Sequence, residues 1–385
     1  ILSDVGIDIK QAAAAIDGQI INNCLFLLKE EYDDKAFQHR SDFNIVIGTN
    51  VKKISKFMFD QAANLEIVYM PEVVEIEDGE NLNWRPHGAF TRTKVHQIFF
   101  AKLEVVSVFA FYECKIERLT ALNLPRVKKI QDHGFSYCPL IQFDLSTLEY
   151  LGTCSRLGYL KELVLCNLTS IGNACFEDGE VEQLTAPKLQ TIGQQCFFGC
   201  PIKVLVLPSL IRVGCKCFEN CPIETVDLPL LVTVGDNAFK NCPLQRIRLP
   251  SLLEIGYQGF AACDQLTEFL APNLRCVEDN CFSFCESLKA VGCWLEAENF
   301  ACCFDQCMQL KLCPSCNGEM ESCICRGKYS ELWNRLNGPL DQLKEVFEQN
   351  RIKFATKLKA QREISKMCQN VEQIISSLNL EFGVQ

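Results

Sequence analysis

The amino-acid sequence predicts an α/β solenoid in which about twelve copies of one short unit are stacked along an axis. The first observation is a phenylalanine that recurs every 21 residues in the middle of the chain. The second is a cysteine three residues after most of these phenylalanines, and the third is a strand-like segment that ends in proline. A fixed period of this length is the signature of repeat architectures. The most regular phenylalanines are Phe176, Phe197, Phe218, Phe239 and Phe260.

One unit is predicted to contain a strand, a turn and a return segment. In residues 204–208, Leu205 and Leu207 alternate with outward positions, which is the period of a strand, and the proline then ends it. An Ile/Val-Gly pair such as Ile192-Gly193 turns the chain. Residues 196–200 are expected to form a short helical or irregular return whose Phe and Cys point inward. Because one unit cannot bury its own apolar face, stacked units must bury a continuous core behind a parallel sheet on one side.

The repeat continues in both directions from the middle of the chain. A degenerate unit near residues 150–165 has Ser155 where the phenylalanine is expected, and residues 77–88 are predicted to be an insertion in one unit. We assign residues 36–312 to the solenoid. The further phenylalanines of the frame are Phe37, Phe59, Phe90, Phe111, Phe135, Phe282 and Phe304.

These motifs resemble the BspA-like, or Treponema-type, leucine-rich repeats. The unit of that family looks like Leu-x-x-Ile/Val-x-Leu-Pro-x-Leu-x-x-Ile-Gly-x-x-Ala/Cys-Phe-x-x-Cys, and residues 170–290 of this chain follow it most closely. The resemblance implies a leucine-rich-repeat parallel sheet with an irregular or short helical convex side. It also implies a binding protein without catalytic activity, of a kind abundant on bacterial surfaces and expanded in protists. We expect a protist source.

The N-terminal segment, residues 1–35, is predicted to be a helical cap. It contains an alanine-rich run and an apolar cluster at residues 25–28, and the terminal units of solenoids need such a cover. A helix that binds a partner is the alternative. The first residues lack the basic and apolar regions of a signal peptide, although this does not exclude a signal further upstream.

A cysteine-rich capping segment is predicted at residues 313–328, outside the 21-residue frame. Four thiolates could complete a tetrahedral zinc site, but the two cysteine pairs lie closer together than in the usual zinc motifs. We favour a cap with free thiols and predict neither a metal nor any other cofactor. The cysteines concerned are Cys313, Cys316, Cys323 and Cys325.

The C-terminal segment, residues 329–385, is predicted to be one long helix that forms a coiled coil. Pro339 is a plausible first helical residue, and nine of the thirteen a and d positions between residues 336 and 378 are apolar. Polar residues interrupt this apolar stripe in its middle. We expect the helix to pair with a partner helix or with itself; the alternative is that it packs back on the solenoid as a cap.

The chain contains 25 cysteines, and their positions indicate structural thiols rather than a redox or metal array. The position before the recurring phenylalanine is Cys196 in one unit but Ala238 and Gly259 in others, so the site requires a small residue. A free cysteine behaves as a small buried hydrophobe. We therefore expect a reducing compartment and predict a cytoplasmic protein, with association with the cytoskeleton as one option.

Several classes of function are disfavoured by the composition. A net charge of −10 disfavours nucleic acid as the main partner. The sequence contains no run of about 20 apolar residues, so we expect no transmembrane helix. None of the four histidines lies in a metal-spaced pair, and the sequence has no phosphate-binding glycine-rich loop, nucleophile elbow or kinase signature. We predict that the chain is not an enzyme.

Binding to other proteins is expected to use the sheet face and the C-terminal helix. Exposed aromatic and arginine side chains are typical interface anchors, although some of these residues could simply be solvated. The candidates on the sheet are Tyr69, Phe99, Arg118, Asp144, Asp227, Arg246, Arg248 and Glu268. Those on the C-terminal helix are Leu343, Phe347, Phe354 and Ile375.

The predicted function is that of an intracellular scaffold, within a protist cytoskeletal or flagellar assembly, by analogy with other rigid rods that carry a coiled-coil tail. The second hypothesis is a cell-surface adhesion or receptor protein, as several members of the resembling family are. The third is a zinc-dependent protein. A count of free thiols separates the first two hypotheses, and metal analysis tests the third.

Overall fold

The structure is a computed structural model that describes residues 9–119, 123–144, 146–153, 157, 159–293, 303–307 and 309–310. Within these residues the chain forms a parallel β-solenoid of about twelve turns with almost no α-helix. The predicted solenoid and its parallel strands are therefore confirmed. The predicted capping segment at 313–328, its four candidate zinc ligands and the helix at 329–385 lie outside the described residues.

The first side of each turn is the strand that the leucine pattern predicts, and we call these strands the face ladder. Along the solenoid they form five hydrogen-bonded groups, and within a group they pair in parallel and in register, so that Val204 lies beside Thr225 and Leu205 beside Val226. The strands are Cys24–Phe26, Ile45–Ile47, Ile67–Tyr69, Gln97–Phe99, Arg118–Leu119, Gln142–Phe143, Glu162–Val164, Gln183–Thr185, Val204–Val206, Thr225–Asp227, Arg246–Arg248, Glu268–Leu270 and Ala290–Gly292.

A second set of strands, which we call the flank ladder, runs along another side of the solenoid. The sequence analysis placed a sheet on one side only and interpreted the Ile/Val-Gly pair as a turn, and this was wrong. Strands of two residues are too short to show an alternating pattern. They are Lys53–Ile54, Glu75–Ile76, Val105–Val106, Lys129–Ile130, Tyr150–Leu151, Ser170–Ile171, Thr191–Ile192, Arg212–Val213, Thr233–Val234, Glu254–Ile255 and Cys276–Val277, of which the last nine form one sheet.

The glycine that follows six consecutive flank strands, from Tyr150–Leu151 to Glu254–Ile255, is required by the close stacking of the turns. A Cβ atom on Gly214 would lie 2.6 Å from the carbonyl carbon of Gly193 and 2.7 Å from the amide nitrogen of Gln194. Real Cβ atoms do not approach the backbone so closely. Glycine is therefore the one residue that lets consecutive turns keep their hydrogen-bonding distance here.

The third side, which we call the turn side, carries the recurring phenylalanine and contains overlapping β-turns in place of the short helix that was one predicted option. The amides of Cys217, Glu219 and Cys221 each donate to the carbonyl three residues earlier, at 3.2–3.4 Å. The residues two positions before and after Phe218, Lys216 and Asn220, have φ of 56° and 62°. This alternation prevents a helix from forming.

The turn side also joins each turn to the next through the backbone. The amides of Lys216, Phe218 and Asn220 donate to carbonyls of the following turn at 2.7, 2.8 and 2.9 Å. All three sides of the solenoid are therefore connected along the axis.

Two columns of stacked phenylalanine rings fill the core. Neighbouring rings from Phe37 to Phe135 have centroids 5.0–5.4 Å apart, and those from Phe176 to Phe304 have centroids 5.2–5.8 Å apart. The columns are separated at the degenerate unit, where Ser155 is expected to replace the phenylalanine. The prediction that these rings point inward is confirmed, since Phe218 and its neighbours are fully buried.

The recurring cysteines are buried and bonded to the backbone. The thiol of Cys221 donates to the carbonyl of Phe197 in the preceding turn at 3.0 Å, and seven further cysteines make the same bond. The carbonyl of Phe197 also accepts the amide of Cys200 at 3.1 Å, so the thiol adds a second bond from the following turn, which alanine could not make. Every cysteine in the described part of the chain is a free thiol. The seven further cysteines whose thiols bond to a carbonyl in the preceding turn are Cys114, Cys138, Cys200, Cys242, Cys263, Cys285 and Cys307.

The N-terminal segment is a β-arm rather than the helical cap that we predicted. Its helix, Ile9–Ala13, is five residues long, and the strand Ile20–Ile21 then pairs antiparallel with Cys24–Phe26. The β-branched pair at 20–21 favours a strand. Cys24–Phe26 continues the face ladder in parallel with Ile45–Ile47, so the arm covers the edge that an open sheet would expose.

The insertion predicted at residues 77–88 is a β-hairpin. Its strands, Glu80–Leu82 and Arg85–His87, are antiparallel and are joined by Asn83 and Trp84, both with positive φ. A two-residue connection of this kind matches the twist of a hairpin.

No helix in the described part of the chain is long and apolar enough to cross a membrane.

The left-handed residues of the turn side generate a first prediction. Lys216 is exposed and has a φ of 56°, which β-branched residues avoid. Lys216→Val is expected to lower the free energy of unfolding by about 1–2 kcal/mol, whereas Lys216→Gly should leave it unchanged or raise it by up to about 1 kcal/mol. Urea denaturation measures both variants.

Arg212 provides the matched control, because it is exposed on a flank strand. A strand favours β-branched residues and disfavours glycine, so Arg212→Gly should destabilise more than Arg212→Val. The same order of stability at both positions would contradict the assigned turn geometry.

The buried thiols generate a second prediction. Burial raises the pKa of Cys200 and Cys242 to about 12, from an ordinary value of 9.0. Because the pKa of each thiol is higher in the folded than in the unfolded chain, its burial contributes to the free energy of unfolding. This contribution is fully present below about pH 9 and is lost as the pH rises towards 12. Each such thiol should add a slope of about 1.4 kcal/mol per pH unit to this loss.

We therefore expect the free energy of unfolding to fall above pH 9, and to fall less steeply in the double variant Cys200→Ala with Cys242→Ala. Cys276 is exposed, so Cys276→Ala serves as the control and should leave the slope unchanged. Equal slopes for all three proteins between pH 9 and 11 would show that these thiols are not buried as described.

Candidate functional site

The face ladder presents two columns of outward side chains. In Val204–Val206 the central Leu205 is fully buried, Val204 is 43% exposed and Val206 is half-buried. Because neighbouring strands are in register, the first and third residues of successive strands form continuous columns along the solenoid. This is the arrangement that the sequence analysis assumed for partner binding.

The structure places the eight candidates of the sheet in different environments. Arg118 and Arg246 are exposed, and Phe99, Asp144, Asp227 and Arg248 are partly exposed. Asp227, Arg246 and Arg248 lie on two successive turns, so they are brought together at the C-terminal end of the face. Arg118 and Asp144 lie on two paired strands nearer the middle.

Tyr69 and Phe99 lie on paired strands, and their rings stack with centroids 5.1 Å apart and an angle of 6° between the planes. Burial of Tyr69 raises its pKa. The sequence analysis expected both rings to be exposed anchors for a partner. Instead, Tyr69 and Ile67 are only partly exposed and pack against an apolar cluster that includes Ala15 of the N-terminal arm.

Glu268 differs from the prediction because it is only 5% exposed. It lies beside Arg246 on the paired strand, and the arginine Nε is 3.9 Å from the Glu268 Oε2. The longer arginine side chain lies against the carboxylate and takes the outer position. Arg246, with a half-exposed side chain, is therefore the member of this pair that a partner could contact.

The four candidates of the C-terminal helix, Leu343, Phe347, Phe354 and Ile375, lie outside the described residues. Within the described ranges, no group of three or more His, Cys, Asp or Glu side chains is arranged to hold a metal ion. Burial raises the pKa of thiols such as Cys200 and Cys242, and a protonated thiol is neither a nucleophile nor a metal ligand.

Exposed aromatic side chains on the turn side were missed by the sequence analysis. Trp84 at the tip of the hairpin is 96% exposed, and Tyr137 is 48% exposed. The position of Tyr137, two residues after the recurring phenylalanine, is Asn220 or Asn241 in the regular units. An aromatic residue at a position that is asparagine in those two units was the signal in the sequence.

A family model for the BspA type leucine-rich repeat region matches the chain in six copies, over residues 29–81, 85–203 and 190–311. Among solved structures, a leucine-rich repeat protein from Bacteroides ovatus is 21% identical, with a TM-score of 0.52 over 74% of this chain and 81% of that one. A leucine rich cell surface protein from Faecalibacterium prausnitzii is 18% identical, with a TM-score of 0.31 over 61% and 85% of the two chains.

No curated protein matches the chain in sequence. The Bacteroides ovatus structure supports the fold, and the family model covers well over half of the chain. The family is a repeat scaffold whose members are generally interaction or surface proteins and are not typically enzymes. The solenoid architecture, the 21-residue register and the family match agree, and the chain belongs to the BspA type leucine-rich repeat family.

Proposed function

We propose that the protein is a non-enzymatic scaffold that binds other proteins through the outward columns of the face ladder. The observation that carries this proposal is the pairing of face strands in register, which aligns outward side chains on neighbouring turns of a solenoid of about twelve turns. Consecutive strands are about 4.8 Å apart, so this face extends for roughly 50–60 Å. A rigid surface of this length can contact a large partner without much loss of conformational entropy.

The face ladder suits this role better than the flank ladder because of strand length. Three-residue strands such as Val204–Val206 present two outward residues per turn, whereas two-residue strands such as Arg212–Val213 present one. The face is therefore the broader surface. It also combines arginines with the Tyr69 and Phe99 pair, and these are residue types that anchor protein interfaces.

The location that we propose is cytoplasmic, within a cytoskeletal or flagellar assembly of a protist. Buried free thiols such as Cys221 support a reducing compartment, because oxidising compartments favour disulfides. The alternative is a cell-surface adhesion or receptor protein, since the family also includes surface proteins. The two proposals differ in the number of free thiols that unfolded protein from the source cell would contain.

The C-terminal segment is proposed to join the scaffold to a partner helix or to a second copy. The support is the sequence itself, in which apolar a and d positions recur between residues 336 and 378. A helix with such a stripe must cover it in water. The polar residues in the middle of the stripe favour a specific partner over a homodimer.

The face proposal is tested by charge reversal. Arg118→Glu with Arg246→Glu changes two exposed residues of the face, six turns apart. We expect this variant to lose the proteins that co-purify with the wild-type chain from the source cell, because reversed charges oppose the partner along the face. Quantitative mass spectrometry of the recovered proteins is the measurement.

The matched control, Arg212→Glu with Lys216→Glu, makes the same change of charge on the flank ladder and the turn side. It should retain the co-purifying proteins. The face proposal is wrong if the control loses the same proteins, or if neither variant loses any.

The C-terminal segment is tested by placing charges in its apolar stripe. Leu343→Asp with Ile375→Asp is expected to abolish association, because a carboxylate at an a or d position cannot be desolvated in a coiled coil. Light scattering reports the mass, and thermal melting reports the solenoid. If mass and partner recovery are unchanged while the solenoid melts earlier, the segment is a cap and the association proposal fails.

A further inference from the structure

Four aromatic side chains form a continuous surface on the turn side of two successive turns, and we call this surface the aromatic ridge. It consists of Phe109, Tyr112, His133 and Tyr137. The ring of Phe109 stacks on that of His133 at 5.2 Å and contacts Tyr112 edge-on at 5.8 Å, and Tyr112 contacts Tyr137 at 5.3 Å. All four are at least partly exposed.

The backbone of the turn side holds the ridge outward. Phe109, His133 and Tyr137 have φ of 55°, 58° and 59°, at the positions two residues before or after the buried Phe111 and Phe135. Bulky side chains rarely adopt this conformation. In the regular units the same positions carry polar residues such as Lys216 and Asn220. At Phe109, His133 and Tyr137 these positions carry aromatic side chains that are at least partly exposed and so lie outside the core.

The insertion hairpin leaves the solenoid beside the ridge. The amide of Gly79 donates to the carbonyl of Val108 at 2.8 Å, and a Cβ on Gly88 would lie 2.2 Å from the carbonyl oxygen of Phe109. The base of the hairpin is thus in direct contact with the backbone of Phe109. Two strands of three residues connect this base to Trp84, whose side chain is 96% exposed.

Buried polar contacts fix the base of the hairpin. The Oδ2 of Asp60, a fully buried residue, lies 2.8 Å from the His87 Nδ1 and accepts a bond from the Gln38 Nε2 at 2.8 Å. The His87 ring also contacts Phe57 edge-on at 6.1 Å. Trp84 is therefore presented by a rigid support, which lowers the entropy that binding must overcome.

The chemistry of these side chains selects one kind of ligand. Their rings offer flat apolar faces, while the Tyr112 and Tyr137 hydroxyls, the His133 ring and the Trp84 indole offer donors at the ring edges. A polyproline II segment has the complementary features, because its proline rings are apolar and its carbonyls have no internal partners. Aromatic-lined surfaces with such donors recognise proline-rich segments in general.

Two other modes of peptide binding fit this surface poorly. Strand addition needs free backbone groups, but the amides of Phe109, Phe111 and Glu113 already donate to the next turn at 2.8–3.2 Å. Helix docking needs a long aliphatic groove, and the side chains of the ridge are aromatic with polar edges. An extended ligand that brings its own carbonyl acceptors requires neither.

We propose that the aromatic ridge and Trp84 bind a proline-rich segment of another protein in the polyproline II conformation. This interaction uses the turn side and does not depend on the proposed role of the face ladder. The solenoid would then have two independent binding surfaces. The long face ladder would recognise the shape and charge of a protein surface, and the short aromatic ridge would bind a linear peptide.

The test uses the full chain and an array of synthetic ten-residue peptides. The probes are decaproline and peptides with two prolines in the spacing Pro-x-x-Pro, and a glycine-serine peptide of equal length is the blank. We expect some proline-rich peptides to bind with saturable affinity in the micromolar range, measured by calorimetry. Tyr137→Ala and Trp84→Ala should each weaken the best of them by at least about tenfold, as the loss of an aromatic anchor does.

Phe284→Ala is the matched control, because Phe284 is 52% exposed, has a φ of 64° and also lies two residues after a recurring phenylalanine. It should keep the wild-type affinity, and the melting temperatures of all variants verify that they fold. The proposal is overturned if no proline-rich peptide binds more tightly than the blank, or if Phe284→Ala weakens binding as much as Tyr137→Ala does.

Discussion

The structure depends on one constraint, which is that each residue of a turn lies beside its counterpart in the next turn. Backbone hydrogen bonds enforce this register on all three sides. On the face they pair the strands of Val204 and Thr225, and on the flank those of Thr191 and Arg212. On the turn side the amide of Phe218 donates to a carbonyl of the next turn. Consecutive strands are held about 4.8 Å apart, so every side chain must tolerate a copy of its own position at that distance. Flat phenylalanine rings meet this requirement by stacking, and the column of glycines meets it by having no side chain.

The same constraint explains the cysteines. A thiol three residues after the phenylalanine is small enough to repeat in every turn, and it can donate to the carbonyl of the preceding phenylalanine. Burial then raises its pKa and keeps it protonated, so it remains a donor and is unreactive. An abundance of cysteine that could suggest metal or redox chemistry thus follows from the packing of the repeat. The positions that the register leaves free are the outward ones, and there the turns differ from one another.

Much of the fold could be predicted from the sequence because the register of the turns appears there as a 21-residue period. The inward direction of Phe218, the face strands and the insertion at 77–88 were all predicted from it. The flank ladder was missed because Thr191–Ile192 is too short to show an alternating pattern. The N-terminal arm was predicted to be helical because its alanine-rich composition outweighed the β-branched Ile20 and Ile21 in the interpretation.

The candidate site was less predictable than the fold. The two outward columns were expected, yet burial of Glu268 against Arg246 depends on the relative lengths of two side chains on paired strands. The N-terminal arm on Tyr69 is a contact between segments more than 50 residues apart, which a repeat period does not encode. Exposure of Trp84 and Tyr137 required the turn geometry. In each case the missing information concerned contacts between units rather than the content of one unit.

Amide hydrogen exchange of the variant Phe218→Ala tests the central claim of stacking in register most directly. Removing this ring should cost roughly 3–5 kcal/mol and, because each turn contacts only its neighbours, open the solenoid locally. Exchange at the amides of Phe197 and Phe218, which donate to the next turn, should accelerate by about 100-fold or more, while that of Phe90 stays unchanged. Equal acceleration along the whole chain, or none at Phe197, would contradict the account.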